Sequence, residues 1–223
     1  MKRIAEPELM DSDEQAAAYA HADFELPHSM FIQQFRDTFS AERITGHVLD
    51  LGCGPADISI RFAKAFPECT IDAVDGAKQM LKYGHIAVEA AGLAQRIQLI
   101  HGYLPGAALP RATYDVIISN SLLHHLHDPL VLWRTVRTCA KAGAPVFIMD
   151  LKRPHSTDQA REMMEGYTAG EPEVLKQDFF NSLLAAYTVD EVQAQLEQMG
   201  LNHLSVQAVY DRHLIVTGRA RPA

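Results

Sequence analysis

Short apolar runs alternate along this chain with longer stretches in which apolar positions recur at helical spacing. The runs predict strands near 47–51, 70–75, 96–101, 114–119 and 144–150, and the stretches between them, such as 58–66, predict helices. Strands alternating with helices build a parallel sheet covered on both faces, so the class is α/β and the sheet doubly wound. After residue 150 the rhythm changes. Residues 157–166 and 173–186 read as helices separated by the turn-forming Ala169, Gly170, Glu171 and Pro172. Thr188 with Glu191 three residues on forms a capping box, and Gly200 ends the helix it starts. Two strands, 203–209 and 213–219, follow around a tight turn at 210–212. Before the first strand, helices are predicted around 11–20 and 28–39.

The turn after the first predicted strand carries the densest chemistry, Asp50-Leu51-Gly52-Cys53-Gly54-Pro55. Glycines there permit backbone angles closed to other residues and let a ligand approach the main chain, while the helix start presents unpaired N–H groups. A dinucleotide fingerprint would need a third glycine where Asp57 stands, and an acid in that first turn repels a diphosphate. A nicotinamide-dependent oxidoreductase is therefore a distant reading. Asp50 can accept a hydrogen bond from a ligand ammonium, and Asp75, ending the second strand, can accept both hydroxyls of a ribose. A ligand with a ribose and an ammonium but no phosphate satisfies both: S-adenosylmethionine, with S-adenosylhomocysteine as product.

Four segments in order carry a family resemblance. They are Val48-Leu49-Asp50-Leu51-Gly52-Cys53-Gly54-Pro55, then Ile71-Asp72-Ala73-Val74-Asp75-Gly76 with Met80 and Leu81, then Tyr114-Asp115-Val116-Ile117-Ile118-Ser119-Asn120 with Leu122-Leu123-His124-His125-Leu126, and Lys141-Ala142-Gly143-Ala144-Pro145-Val146-Phe147-Ile148. Residues 46–150 resemble the class I S-adenosylmethionine-dependent methyltransferases, of the small-molecule branch that includes the ubiquinone/menaquinone-biosynthesis type. The resemblance implies a Rossmann-like doubly wound sheet, mostly parallel, with a C-terminal antiparallel hairpin and a helical cap. It divides a single methyltransferase domain into an N-terminal cap (1–45), a cofactor-binding core (46–150), a helical lid (151–187) and a C-terminal helix and hairpin (188–223). It implies cofactor contacts from Asp50, Gly52, Gly54, Asp75, Gly76, Met80, Gly102, Tyr103 and Asn120. Two positions depart from the family pattern. Ala56 stands where a further glycine is common, and His101-Gly102-Tyr103 stands where Gly-Asp is common, so Tyr103 is expected to meet the adenine in place of an acid.

Composition narrows the setting. With 223 residues, 48% of them hydrophobic, the chain can bury one substantial core plus a cap. No apolar stretch reaches the roughly 18 residues of a membrane helix, and the first residues lack the apolar core of a secretory signal. Three scattered cysteines suit a reduced, cytoplasmic setting. A net charge of −8 opposes binding to a phosphate backbone, so no nucleic-acid partner is expected.

In open parallel sheets ligands bind beyond the carboxyl ends of the strands. That rule selects Asn120, Ser121, His124 and His125 after the fourth strand, Asp150, Lys152, Arg153 and His155 after the fifth, and Asp211, Arg212 and His213 at the final turn. Such a mouth is more basic than the chain, which favours a small anionic acceptor held by Lys152, Arg153, Arg212 and His213. Methyl transfer needs in-line alignment and, for some acceptors, removal of a proton. His125 is the first candidate base and His124 the second. Tyr19, His28 and Phe31 in the cap are candidates for closing over cofactor and substrate, in competition with ordinary core packing.

Other chemistries fit less well. His124, His127 and Asp128 share a helix face at i, i+3, i+4, the pattern of a two-histidine, one-carboxylate metal site. Asp128, however, precedes Pro129, which pushes it out of helical dihedrals and makes it the cap of the next helix, so no metal is expected. Asn120-Ser121-Leu122-Leu123 lacks the Pro-Pro-aromatic continuation of base methyltransferases, and no cysteine is expected at the mouth, as arsenic methylation would require. Oxygen, sulfur and carbon acceptors remain open. A protein that binds S-adenosylmethionine without transferring its methyl group, as a regulator or scaffold, predicts the same cofactor residues.

Overall fold

The computed structural model describes residues 1–7 and 9–221; position 8 of the expected cap and positions 222–223 of the expected C-terminal unit lie outside the described residues. Seven strands, β1 (Gly46–Leu51), β2 (Cys69–Asp75), β3 (Ile97–His101), β4 (Val116–Asn120), β5 (Pro145–Leu151), β6 (Ser205–Val209) and β7 (His213–Arg219), form one sheet. Its order is β3-β2-β1-β4-β5-β7-β6, parallel except at β7, which runs antiparallel to both neighbours. This is the mostly parallel, doubly wound sheet closed by an antiparallel hairpin that the sequence implied.

Successive strand residues point to opposite faces, and both faces are apolar. Val48, Ile118 and Phe147 face one core with Phe31 and Phe35 of α2 (Glu25–Thr38) and Phe62 of α3 (Asp57–Ala65). Leu49, Ile117 and Ile148 face the other, with Trp133 of α5 (Leu130–Cys139) and Leu196 of α8 (Val189–Gln198). The remaining helices are α1 (Asp13–His21), α4 (Lys78–Ala90), α6 (Thr157–Tyr167) and α7 (Glu173–Ala185). α6 and α7 pack with Leu151 in a smaller cluster beyond the end of β5. The Thr188–Glu191 capping box is present at the start of α8. Helix α2 begins ahead of the predicted 28, because Asp23 accepts the Glu25 N–H at 2.9 Å and a proline is tolerated in a first helical turn. Among the described residues no helix is long and apolar enough to cross a membrane.

Candidate active site

A cavity of about 1040 Å³ opens at the carboxyl ends of the parallel strands, and all nine expected cofactor residues line it: Asp50, Gly52, Gly54, Asp75, Gly76, Met80, Gly102, Tyr103 and Asn120. The turn that positions them is fixed by its backbone. Gly52 has φ +72°, and a Cβ there would lie 2.8 Å from the Leu122 side chain, so only glycine fits. Its N–H reaches the Val74 carbonyl at 2.9 Å, tying the turn to β2. Asp75 accepts the Gly54 N–H on one oxygen at 2.8 Å and the Ala77 N–H on the other at 2.7 Å. Each oxygen keeps a lone pair for a ribose hydroxyl. Burial raises the Asp75 carboxyl, against the pull of those two N–H groups. Asp50 is fully buried, takes the Ser59 hydroxyl at 2.5 Å, and is pushed by burial up to about 7. Ala56 adopts the left-handed conformation that a glycine would hold without strain.

On the other side, β4 ends in a short 3₁₀ turn (Leu123–His125) whose histidines face a carboxylate from each direction. His124 Nδ1 lies 2.5 Å from Asp150, whose second oxygen accepts the Leu123 N–H at 2.7 Å. His124 Nε2 and His125 Nδ1 stand 3.6 and 3.4 Å from one oxygen of Glu6. Burial pulls His124 down, but Asp150 and Glu6 overcome it and its basicity ends raised. Burial and the neighbouring His124 hold His125 well below the usual imidazole range. Glu6 is pushed by burial up to about 7.

Glu6 arrives on an N-terminal strap that sequence reasoning missed. Ile4 N–H bonds the Leu184 carbonyl at 3.0 Å, and the Arg3 guanidinium donates to the carbonyls of Ala185 and His124 at 2.5 and 2.8 Å while lying 4.2 Å over the Tyr187 ring. One signal was available, since Pro7 drives the residue before it into an extended conformation.

The remaining expected residues divide. Tyr19 and His28 line the cavity, and burial pushes the Tyr19 hydroxyl up to about 12, so it stays a neutral donor. His28 is engaged with Asp57 at 2.6 Å. Phe31 is core, packed edge-on against Phe147. Arg212 and His213 line the cavity, but Lys152 and Arg153 do not. Leu151 still pairs with His213, so the chain leaves the sheet a residue later than expected, and Arg153 turns to Glu191 at 2.6 Å. His213 adds no charge at neutral pH, because burial and the adjacent Arg212 bring it down to about 4. Arg212 is matched by Asp211 at 3.2 Å, and Arg61 by Asp57 and Glu25 at 2.6 and 2.8 Å. With Asp23, Glu171 and Asp178 also lining it, the cavity is acidic, and the basic mouth is not assembled.

Two further readings meet the structure, the helix cap at Asp128 as expected and the place of Cys53 as a correction. Among the described residues His124, His127 and Asp128 do not converge: His127 Nε2 meets the Glu6 carbonyl, and Asp128 caps the Leu130 N–H and pairs with Arg134. Cys53 does line the cavity, although burial raises its thiol far above the usual range and makes it inert.

Residues 48–145 match the methyltransferase domain family. The malonyl-[acyl-carrier protein] O-methyltransferase of Halalkalibacterium halodurans is 35% identical over 85 residues, a match covering 37% of this chain and 30% of that protein's length. The putative S-adenosyl-L-methionine-dependent methyltransferase of Methanococcus maripaludis superposes with TM-score 0.72 at 20% identity, covering 99% of this chain and 98% of its own. The plantazolicin methyltransferase BpumL, solved with S-adenosylhomocysteine, gives 0.70 at 13% identity over 96% of this chain and 93% of its own. Residues 48–145 thus match a methyltransferase domain, in a chain that spans about a third of that curated relative's length and shares its fold with solved methyltransferases.

Proposed function

We propose that this chain transfers the methyl group of S-adenosylmethionine to a small-molecule acceptor by in-line displacement, with the histidine pair taking the acceptor's proton. The observation that carries the reading is one continuous cavity, about 1040 Å³, lined by the cofactor residues and by both histidines. That is at the upper limit of about 300–1,000 Å³ for a single small-molecule site, which leaves room for an acceptor beside the cofactor. The bound cofactor supplies an activated methyl group. Asp75 and Asp50 orient its ribose and ammonium, and Gly102 and Tyr103 flank its adenine. His125, unprotonated at neutral pH, is the first candidate base, and His124, whose ring Asp150 orients, is the second.

The acidic cavity argues for an acceptor without an anionic head. Phe24, Leu175 and Phe179 offer it an apolar wall, and both lining arginines are already matched by carboxylates. The same chemistry supports the small-molecule branch and disfavours nucleic acid. Three buried, unpaired cysteines suit a reducing, cytoplasmic setting. The test is to incubate the protein with S-adenosylmethionine and a metabolite extract and follow products by mass spectrometry. S-Adenosylhomocysteine together with a species heavier by one methyl group is expected. Tight cofactor binding with no product would favour the binding-protein alternative, and tight NAD binding would overturn the reading.

A further inference from the structure

We propose that Glu6, His124 and His125 form a binding site for a divalent first-row transition ion, with zinc as the reference case. Their donor atoms all lie within 4.8 Å of one another. Glu6 Oε1 and His125 Nδ1 are buried and have no hydrogen-bond partner. Each histidine has its other nitrogen occupied: Asp150 takes the His124 Nδ1 side at 2.5 Å, and the backbone of Pro7 hydrogen-bonds His125. The lone pair on His125 Nδ1 therefore faces the Glu6 oxygen, acceptor against acceptor and away from water, with His124 Nε2 across the same oxygen. Such an arrangement is costly unless a cation or a proton lies between the groups.

The distances favour the ion. Separations of 3.4 and 3.6 Å from one oxygen to two nitrogens exceed those of good hydrogen bonds, and one proton can serve only one of the two contacts. A tetrahedral ion with bonds of about 2.0–2.1 Å spaces its ligands about 3.3–3.4 Å apart. Two imidazoles with one carboxylate select a borderline transition ion over magnesium or calcium, which take oxygen ligands. The Asp150 carboxylate behind His124 is the outer-shell partner that metal-bound imidazoles usually have. An ion here would fasten the N-terminal strap to the turn after β4, at the wall of the cavity. The proposal goes beyond methyl transfer and does not rest on it. The lone pairs that would hold the ion are those a free imidazole base would use, so loaded and unloaded protein are alternative states of one site.

The test uses the full chain, stripped with a chelator and free of S-adenosylmethionine. Zinc is titrated by calorimetry, and cobalt(II) is added to look for the intense visible bands of a tetrahedral centre. One zinc per chain is expected, with those bands. Glu6→Gln, nearly isosteric and on the strap, should weaken zinc at least about a hundredfold and abolish the bands, and Asp150→Asn should weaken it about ten- to a hundredfold. His85→Ala, on an exposed helix face, should change neither. No stoichiometric zinc binding by the wild type, or equal affinity in a folded Glu6→Gln protein, overturns the proposal. Because the cofactor is absent, that failure leaves the methyl-transfer reading untouched, and failure to form S-adenosylhomocysteine leaves the metal result untouched.

Discussion

On the side of the cavity proposed for the cofactor, Asp50, Gly52, Gly54, Asp75 and Gly76 come from the ends of two neighbouring strands and the turns after them, Met80 comes from α4, and Asp75 is held by main-chain N–H groups. On the histidine side, Glu6, His124, Asp150 and Phe179 come from four distant segments, and Glu6 and His125 keep buried polar atoms without hydrogen-bond partners. One side is made by local backbone geometry, so it persists whatever packs above it. The other exists only once a strap, a 3₁₀ turn and helices α6 and α7 have docked, and such assemblies come from the less stable end of a fold. Unmet hydrogen-bonding capacity therefore collects where the acceptor would be, and met capacity where the cofactor would be.

That contrast is broken most sharply at the histidines. His125→Ala should reduce turnover about a hundred- to ten-thousandfold, the usual range for a positioned base, while S-adenosylmethionine affinity stays nearly unchanged. Single-turnover rates and calorimetry on the same variant check both halves of the statement. Full activity in His125→Ala with loss in His124→Ala would move the role to the Asp150-bound ring. Full activity in both would mean that alignment alone drives transfer.

The next effect falls on the cofactor side and should show the reverse pattern. Asp75→Ala removes the carboxylate assigned to the ribose, which should weaken S-adenosylmethionine by about 1.5–3 kcal/mol per charge-assisted bond lost, roughly ten- to a hundredfold. Calorimetry on the folded variant measures it. Unchanged affinity would detach Asp75 from the ribose and leave it as the brace of the glycine turn.

The same contrast explains what could be read from the chain. The sheet was legible because its strands are continuous apolar runs and its first turn needs glycine at Gly52, both local facts. Asp75 was legible because strand ends deliver side chains to one rim. Glu6 was not, since it precedes the first predicted helix and lies in no periodic pattern itself, and only the docking of Ile4 and Arg3 onto the end of α7 and its neighbours brings it to the histidines. Lys152 and Arg153 were misplaced by one residue of strand length, which turned Arg153 toward Glu191. Charge at the mouth was overcounted for a related reason. A sequence shows which cations follow the strands, but not that Asp211 and Asp57 meet them there.

A smaller effect tests Asp50. Burial raises this carboxyl to about 7 in the free protein. A ligand ammonium beside it favours the charged form, so the bound value is lower and binding must expel the proton wherever the free group still holds it. Affinity should therefore fall as pH drops below about 7, by up to about tenfold per unit. The ligand's own α-amino group, near 7.7–8.0 in ordinary peptides, stays mostly protonated below pH 7, so a slope there belongs to the protein. Affinities measured from pH 7.5 to 5.5 should show the slope in wild type and lose it in Asp50→Asn. An equal slope in both would assign it to another group titrating near 7, of which Glu6 is the first to examine.

The smallest effect is expected at the rim. Arg212 lies 3.5 Å over the Tyr167 ring and 3.2 Å from Asp211, so its charge is already answered within the protein. Lys152 lies outside the cavity lining altogether. Surface ion pairs and exposed cation–π contacts are each worth about 0.2–1 kcal/mol, so Arg212→Ala should move the acceptor's KM by less than about fivefold and Lys152→Ala by nothing measurable. Salt should leave both constants in place, because the arginines among the described lining residues are already paired and leave no free cation there for ions to screen across a Debye length of about 8 Å. Acceptor titrations at low and moderate salt decide the matter once a product is known. A rise of tenfold or more in Arg212→Ala, shrinking as salt is added to the wild type, would mean that the arginine exchanges Asp211 for an anionic acceptor, and would carry unmet charge to the one part of the histidine side where the free protein shows none.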